Sequence, residues 1–293
     1  MYVITGATGN TGSIIASTLL GAGKQVRIIA RDTEKAKGLI EKGAELFQGS
    51  TNNVELLKAA FAGADAVYVV IPMNMQAADY TAFQMEHVNA IAEAMETCNV
   101  KKVVSMSSQG AHINSGSGII LGLHYMEGEF NQIEGLNTLN LRPSYFMENT
   151  LGMVGMIKDA GIMGSPIKAD LSFPMIATKD IANYAAKRLL ALDFEGNNHQ
   201  DLLGARNITY AEVAKVYGAA IGKPDLNYVQ FPYADFKAAF MGMGASESVA
   251  DKMNEFLVRV NAGEIFVSER NEENTTPTTI EEFSQTFSYV YNM

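Results

Sequence analysis

The stretch "TGATGNTG", Thr5 to Gly12, directly follows the short apolar run "YVIT" and directly precedes "SIIASTLLGAG", whose Ile14, Ile15, Thr18 and Leu19 share one helical face. Strand, glycine triplet and helix in that order are the context that gives a G-x-x-G-x-x-G spacing meaning. Gly6 permits the tight turn, Gly9 lets backbone approach a pyrophosphate, and Gly12 lets the helix sit close to the strand. Thr8, Asn10 and Thr11 complete the loop. The N–H groups and dipole of the new helix then face an anion, so dinucleotide binding is expected here.

The rest of the first half repeats the pattern. "QVRIIAR", "AELFQG", "DAVYVVIP", "KKVVSMSS" and "NTLNLRP" read as strands, separated by helical patterns that include a long one from about Asp79 to Cys98. The strand runs are apolar throughout rather than alternating, as in a parallel sheet covered on both faces. The fold class expected is α/β, a Rossmann-type doubly wound parallel sheet over residues 1–150. Residues 151–293 are expected to form a smaller, mainly helical substrate lobe, with a helix around 178–192 packing back on the first domain. Capping boxes at Thr209/Glu212 and Thr279/Glu282 open two of the lobe's helices.

The second strand bears on which dinucleotide binds. A free ribose 2′-hydroxyl usually meets an acidic residue at this strand end, whereas a 2′-phosphate needs a cation. Here the strand ends in Ala30 and Arg31, with Lys35 and Lys37 following, and a guanidinium can hold phosphate with two bonds. Asp32 complicates the case, since it could point inward. The chemistry favours NADP over NAD. Ser50 after the third strand and Ile71 at the end of the fourth are candidate cofactor contacts, and Pro72 and Met73, ending the fourth strand, are expected beside the adenosine half.

Composition excludes other classes. The chain has 293 residues, and its net charge of −10 repels phosphate backbones and anionic lipids, so neither nucleic acid nor a membrane surface is expected as a partner. The single cysteine, Cys98, can form no internal disulfide, and no Cys/His cluster has metal-ligand spacing. An apolar strand begins at Tyr2 without a preceding basic region, and no apolar run reaches the length of a membrane span. A cytoplasmic protein is expected.

"TGATGNTG", "ARDTEKAK", "VVSMSSQGA", a histidine-containing helix, "LRPSYFMEN" and "IATKDIA" together resemble the NmrA-like branch of the atypical short-chain dehydrogenases, nearest the flavin-free NAD(P)H:quinone oxidoreductases. The resemblance implies a nicotinamide bordered by the segment after the fifth strand and by the helix before "LRP". A typical dehydrogenase carries Tyr-x-x-x-Lys on that helix. This chain has "GIILGLHYMEGEF" there, with Ile120 near the tyrosine position and His124 near the lysine position. Its only Tyr-x-x-x-Lys, Tyr233 and Lys237, lies in the lobe, away from the strand ends.

Candidate catalytic residues are therefore His124 and Ser107. His124 could donate to an oxygen that becomes negative as hydride arrives, or hold the cofactor ribose, or be a plain helix polar residue. Ser107 could bond the substrate oxygen or the cofactor, or simply cap its strand. Tyr145, Phe146 and Asn149 follow "LRP" at the carboxyl end of the sheet and, with Met73, are the candidate substrate contacts; packing within the lobe is their alternative. Met75, Met147, Met153, Met156 and Met163 suit an adaptable pocket or an ordinary core. The implied function is NADPH-dependent hydride transfer to a quinone or another planar conjugated electrophile, without flavin or metal, in a chain that could form a homodimer. A reductase of dyes, nitro or azo compounds differs only in substrate, and a non-catalytic NAD(P)-binding sensor is the alternative from another class.

Overall fold

The computed structural model describes residues 1–293. Seven strands form one parallel sheet: β1 (Tyr2–Thr5), β2 (Val26–Ala30), β3 (Glu45–Gln48), β4 (Ala66–Val69), β5 (Lys102–Met106), β6 (Asn137–Pro143) and β10 (Asn197–Leu202). Their order is β3-β2-β1-β4-β5-β6-β10. The order reverses between β1 and β4, whose registers pair Tyr2 with both Val26 and Ala66. A crevice at such a reversal, outside the carboxyl ends of the strands, is where doubly wound sheets hold ligands.

Helices α1 (Gly12–Gly21), α2 (Thr33–Ile40) and α7 (Thr178–Ala191) cover one face, with Ile15, Leu19, Leu39, Ile181 and Leu189 buried against Ile4, Ile28 and Val104. On the other face α3 (Val54–Phe61), α4 (Tyr80–Thr97) and α5 (Leu121–Gln132) bury Leu57, Val88, Ile91, Met126 and Phe130 against Val3, Val67 and Val103. Successive side chains of a strand go to opposite faces, so both faces being covered explains why the central strands are apolar at every position. The edge strand β3 and the outer half of β10 meet water and are correspondingly polar.

Strand β10 lies inside the range 151–293 expected for the smaller lobe, yet it pairs with β6 from Asn197↔Thr138 to Leu202↔Pro143. The chain thus leaves the sheet after β6, returns for α7 and β10, and leaves again. The lobe contains α6 (Val154–Ala160), α8 (Tyr210–Ala220), α9 (Tyr233–Gly242), α10 (Glu247–Asn261) and α11 (Ile280–Asn292). Two small sheets accompany them, β7 (Tyr145–Phe146) with β9 (Phe173–Ile176) and β11 (Asn207–Ile208), and β8 (Ile162–Ser165) with β12 (Asn227–Gln230). A separate apolar core, including Phe173, Tyr210, Tyr217, Phe283 and Phe287, holds this lobe together. No helix is long and apolar enough to cross a membrane.

Candidate functional site

The loop after β1 turns as its glycines require. Gly6 has φ +57°, a conformation that L side chains rarely adopt, and Gly9 N–H donates to Gly6 O at 2.9 Å. A Cβ on Gly12 would collide with the Gly6 carbonyl, so only glycine lets α1 start this close to β1. The backbone N–H groups of Asn10, Thr11 and Gly12 have no acceptor in the protein. Unpaired donors at a helix N-terminus form an anion cradle, and this one fits a pyrophosphate. The Thr11 hydroxyl is not free to join that cradle, because it is buried against the Tyr68 hydroxyl at 3.0 Å. Burial pushes the Tyr68 phenol far above its ordinary range, so it remains a neutral partner.

Arg31 is exposed just past β2, and only its carbonyl is engaged, by Gln48 Nε2 at 3.3 Å. Its guanidinium has no partner. Asp32 is the N-cap of α2, accepting from Lys35 N–H at 3.2 Å. That carboxylate is therefore committed to the helix, which removes the complication it posed in the sequence. Ser50, half-buried, stands at the end of β3 beside Thr51, whose hydroxyl bonds His87 Nδ1 at 2.8 Å. His87 is buried on α4 against Phe83, and desolvation lowers its pKa.

With Arg31 marking the β2 side for the adenosine half, the other half of a dinucleotide would lie across the reversal, over the ends of β4, β5 and β6. Ile71 and Pro72, in the loop just after β4 at the reversal itself, are half-buried, while Met73 is 47% exposed. That loop is tied to the lobe: Ser246 N–H donates to Met75 O at 2.8 Å, Ser246 Oγ to Ala77 O at 2.6 Å, and Tyr80 N–H to Ser248 Oγ at 3.0 Å.

Beyond β5, Ser107 is buried, with its N–H on Leu141 O at 2.8 Å. Its hydroxyl donates to Glu127 Oε1 at 2.5 Å. Glu127, one helical turn after His124 on α5, also receives Arg142 Nε at 2.9 Å and an Arg142 terminal nitrogen at 2.5 Å. The side chains of this pair are 8% and 17% exposed. His124 is half-buried and shares Nδ1 with Ala111 O at 2.8 Å. A carbonyl only accepts, so Nδ1 carries the hydrogen and Nε2 is left without a protein partner.

The structure separates the other candidates. Tyr145 and Phe146 are consecutive in β7 and point to opposite sides. Tyr145 joins the lobe aromatics, 5.6 Å from Phe173 and 6.3 Å from Tyr210 between ring centres, whereas Phe146 packs on the sheet core beside α1 and α7. Asn149 is exposed. Met147, Met153 and Met163 are buried in the lobe core. Tyr233 and Lys237 stand on α9, where the Tyr233 hydroxyl receives Asn261 Nδ2 at 2.6 Å and Lys237 pairs with Glu247 and Asp251 at 3.0 and 2.6 Å. Lys237 is thus held by carboxylates, not by Tyr233. Glu127 and Arg142 are the residues that sequence reasoning missed; a charged Arg142 inside "NLRP" was the available signal, because a half-buried strand cation needs a partner.

A parallel sheet reversing at β1/β4, with unpaired helix-terminal amides at the reversal, defines a Rossmann-type nucleotide-binding protein. More specifically, the chain belongs to the NmrA-like family, whose model matches residues 2–284. It is 30% identical over 255 residues to NAD(P)H azoreductase of Xenophilus azovorans, covering 87% of this chain and 85% of that protein. It is 23% identical over 268 residues to quinone oxidoreductase 2 of Escherichia coli, covering 91% and 90%. Among solved structures, the NADPH-dependent quinone oxidoreductase of E. coli complexed with NADPH superposes with a TM-score of 0.83 at 22% identity, over 100% of both chains. The triphenylmethane reductase of Citrobacter sp. complexed with NADP(H) superposes at 0.79 and 19%, over 98% of this chain and 99% of that one.

Proposed function

We propose that this protein is an NADPH-dependent reductase that passes hydride to a quinone or a similar planar conjugated electrophile without a flavin. The observation that carries it is the pairing at the end of β2: a free guanidinium on Arg31 beside an Asp32 already committed as a helix cap. That arrangement favours a 2′-phosphate and offers a 2′-hydroxyl little. The azoreductase and quinone oxidoreductase relatives support the reaction class.

Bound NADPH would supply the hydride. The amides of Asn10, Thr11 and Gly12 would hold its pyrophosphate, Arg31 its 2′-phosphate, and Ser50, Ile71 and Pro72 would line the adenosine side. Over the ends of β5 and β6, the residues have mainly to exclude water and align two flat rings, since a quinone accepting hydride yields an anion stabilised by its own conjugation. The balance is quinone, NADPH and one proton giving hydroquinone and NADP⁺. A protonated His124 can hand over that proton from Nε2, as can water. The absence of Tyr-x-x-x-Lys on α5 is compatible with this chemistry, because no ketone has to be protonated. Tyr145, half-buried on the edge of the lobe aromatics, is the ring assigned to the acceptor; Asn149 and Met73 are exposed and would give the polar and the adaptable contact.

The test follows nicotinamide absorbance with NADPH or NADH, with and without benzoquinones, naphthoquinones and azo dyes. Protein-dependent oxidation that favours NADPH is expected. Tight NADPH binding with no oxidation by any acceptor would overturn the reductase reading in favour of a cofactor sensor.

A further inference from the structure

The hydrogen bonding beyond β5 fixes which way Ser107 and a neutral His124 can act. Two nitrogens of Arg142 bind the two oxygens of Glu127, and such a carboxylate is ionised and can only accept. The short contact from Ser107 Oγ to Glu127 Oε1 therefore contains the only hydroxyl proton of Ser107. What Ser107 retains is lone pairs. The same logic applies to His124: its Nδ1 hydrogen lies on Ala111 O, so in the neutral ring Nε2 is likewise a lone pair. A substrate carbonyl oxygen, itself an acceptor, finds no donor in Ser107.

We infer that Ser107, held by the Glu127–Arg142 pair, is a hydrogen-bond acceptor for the carboxamide N–H₂ of the nicotinamide, and that it positions the cofactor instead of polarising the substrate. The inference rests on the reading of this site as a nicotinamide-cofactor site. Of the groups that reading brings over β5 and β6, the carboxamide nitrogen and the ribose hydroxyls are the donors. The carboxamide is the one attached to the ring that must face the acceptor. Glu127 acts only through Ser107: by taking its proton it keeps the oxygen oriented and electron-rich, and a carboxylate locked by a guanidinium cannot turn away. A misaligned ring would present C4 at the wrong distance or face, so this device sets alignment and leaves the chemistry to the cofactor.

The test compares NADP⁺ with its 3-acetylpyridine analogue, in which a methyl group replaces the amide nitrogen, by calorimetry on wild type and Ser107→Ala. Adenosine 2′,5′-bisphosphate, which lacks the nicotinamide altogether, is the third ligand. Wild type is expected to prefer NADP⁺ over the analogue by about three- to tenfold, the range of one hydrogen bond. Ser107→Ala should lose that preference and bind the bisphosphate as wild type does. Should wild type bind both dinucleotides equally, or should the preference survive in Ser107→Ala, the assignment is wrong. Equal weakening of all three ligands by the substitution would likewise overturn it, in favour of a purely structural serine. All arms read binding, so failure of every quinone to be reduced leaves this test intact. Failure of all three ligands to bind removes the cofactor reading together with the inference.

Discussion

Glu127→Ala is the substitution whose cost the structure sets most directly. It deletes the acceptor of three hydrogen bonds and leaves Arg142, 17% exposed, with only the charge of Asp201 on the neighbouring strand β10 to face it. Removing one partner of a buried pair costs about 3–5 kcal/mol, most of it the desolvated charge that remains. Water reaching the exposed part of the guanidinium argues for the lower end, about 3 kcal/mol. A chain of 293 residues has an unfolding entropy near 0.6 kcal/mol/K at about 2.1 cal/mol/K per residue, so the midpoint should fall by roughly 5 °C. Thermal unfolding followed by circular dichroism measures this. The double variant Glu127→Leu/Arg142→Met removes both charges while keeping volume, and it should recover most of the loss. A drop of less than about 1 °C in the single variant, or a double variant no better than the single, would show that this pair is solvated and that the reasoning about the site behind β5 starts from a wrong premise.

Arg31→Ala should weaken NADPH binding by about ten- to a hundredfold, the range of a hydrogen-bonded charge pair, and leave NADH unchanged; fluorescence titration with both cofactors reads the difference, and an equal effect on both would exclude a 2′-phosphate contact. His87 gives a pH signature. Desolvation lowers its pKa below the ordinary 6.5 despite Glu86, and Arg31 acts in the same direction as burial. The unfolded chain therefore binds the proton first, and stability from this group is complete above about pH 6.5 and declines as the pH falls towards the lowered folded value. His87→Gln should flatten the fall in melting temperature between about pH 7 and 5 relative to wild type, and parallel curves would refute the assignment.

The sequence made the cofactor half of the molecule legible because its constraints are local. A triplet of glycines between a strand and a helix, and a cation at the end of the next strand, can be read from neighbours in the chain. Central strands announced themselves by continuous apolar runs. Strand β10, "NNHQDL", did not, since an edge strand shares one side with water and its composition resembles a loop. The site beyond β5 was less legible for a related reason. Ser107 and His124 could be named from their positions, but the direction in which each gives its hydrogen depends on Glu127, Arg142 and Ala111, and those partnerships span up to 20 residues. Tyr145 and Phe146 show the same limit: adjacent rings were readable as a pair, and only the two-residue strand they form sends one to the lobe and the other to the sheet.

The double passage of the chain between sheet and lobe bears on how such a protein can be altered. Because α7 and β10 return to the sheet in the middle of lobe sequence, no single cut yields a lobe, and no single exchange with a relative transplants one. A recombinant that takes residues from 151 onward also imports a new edge strand, which must pair with the old β6. The lobe of this architecture is therefore free to drift by single replacements, while wholesale shuffling is blocked by the sheet's own hydrogen bonding.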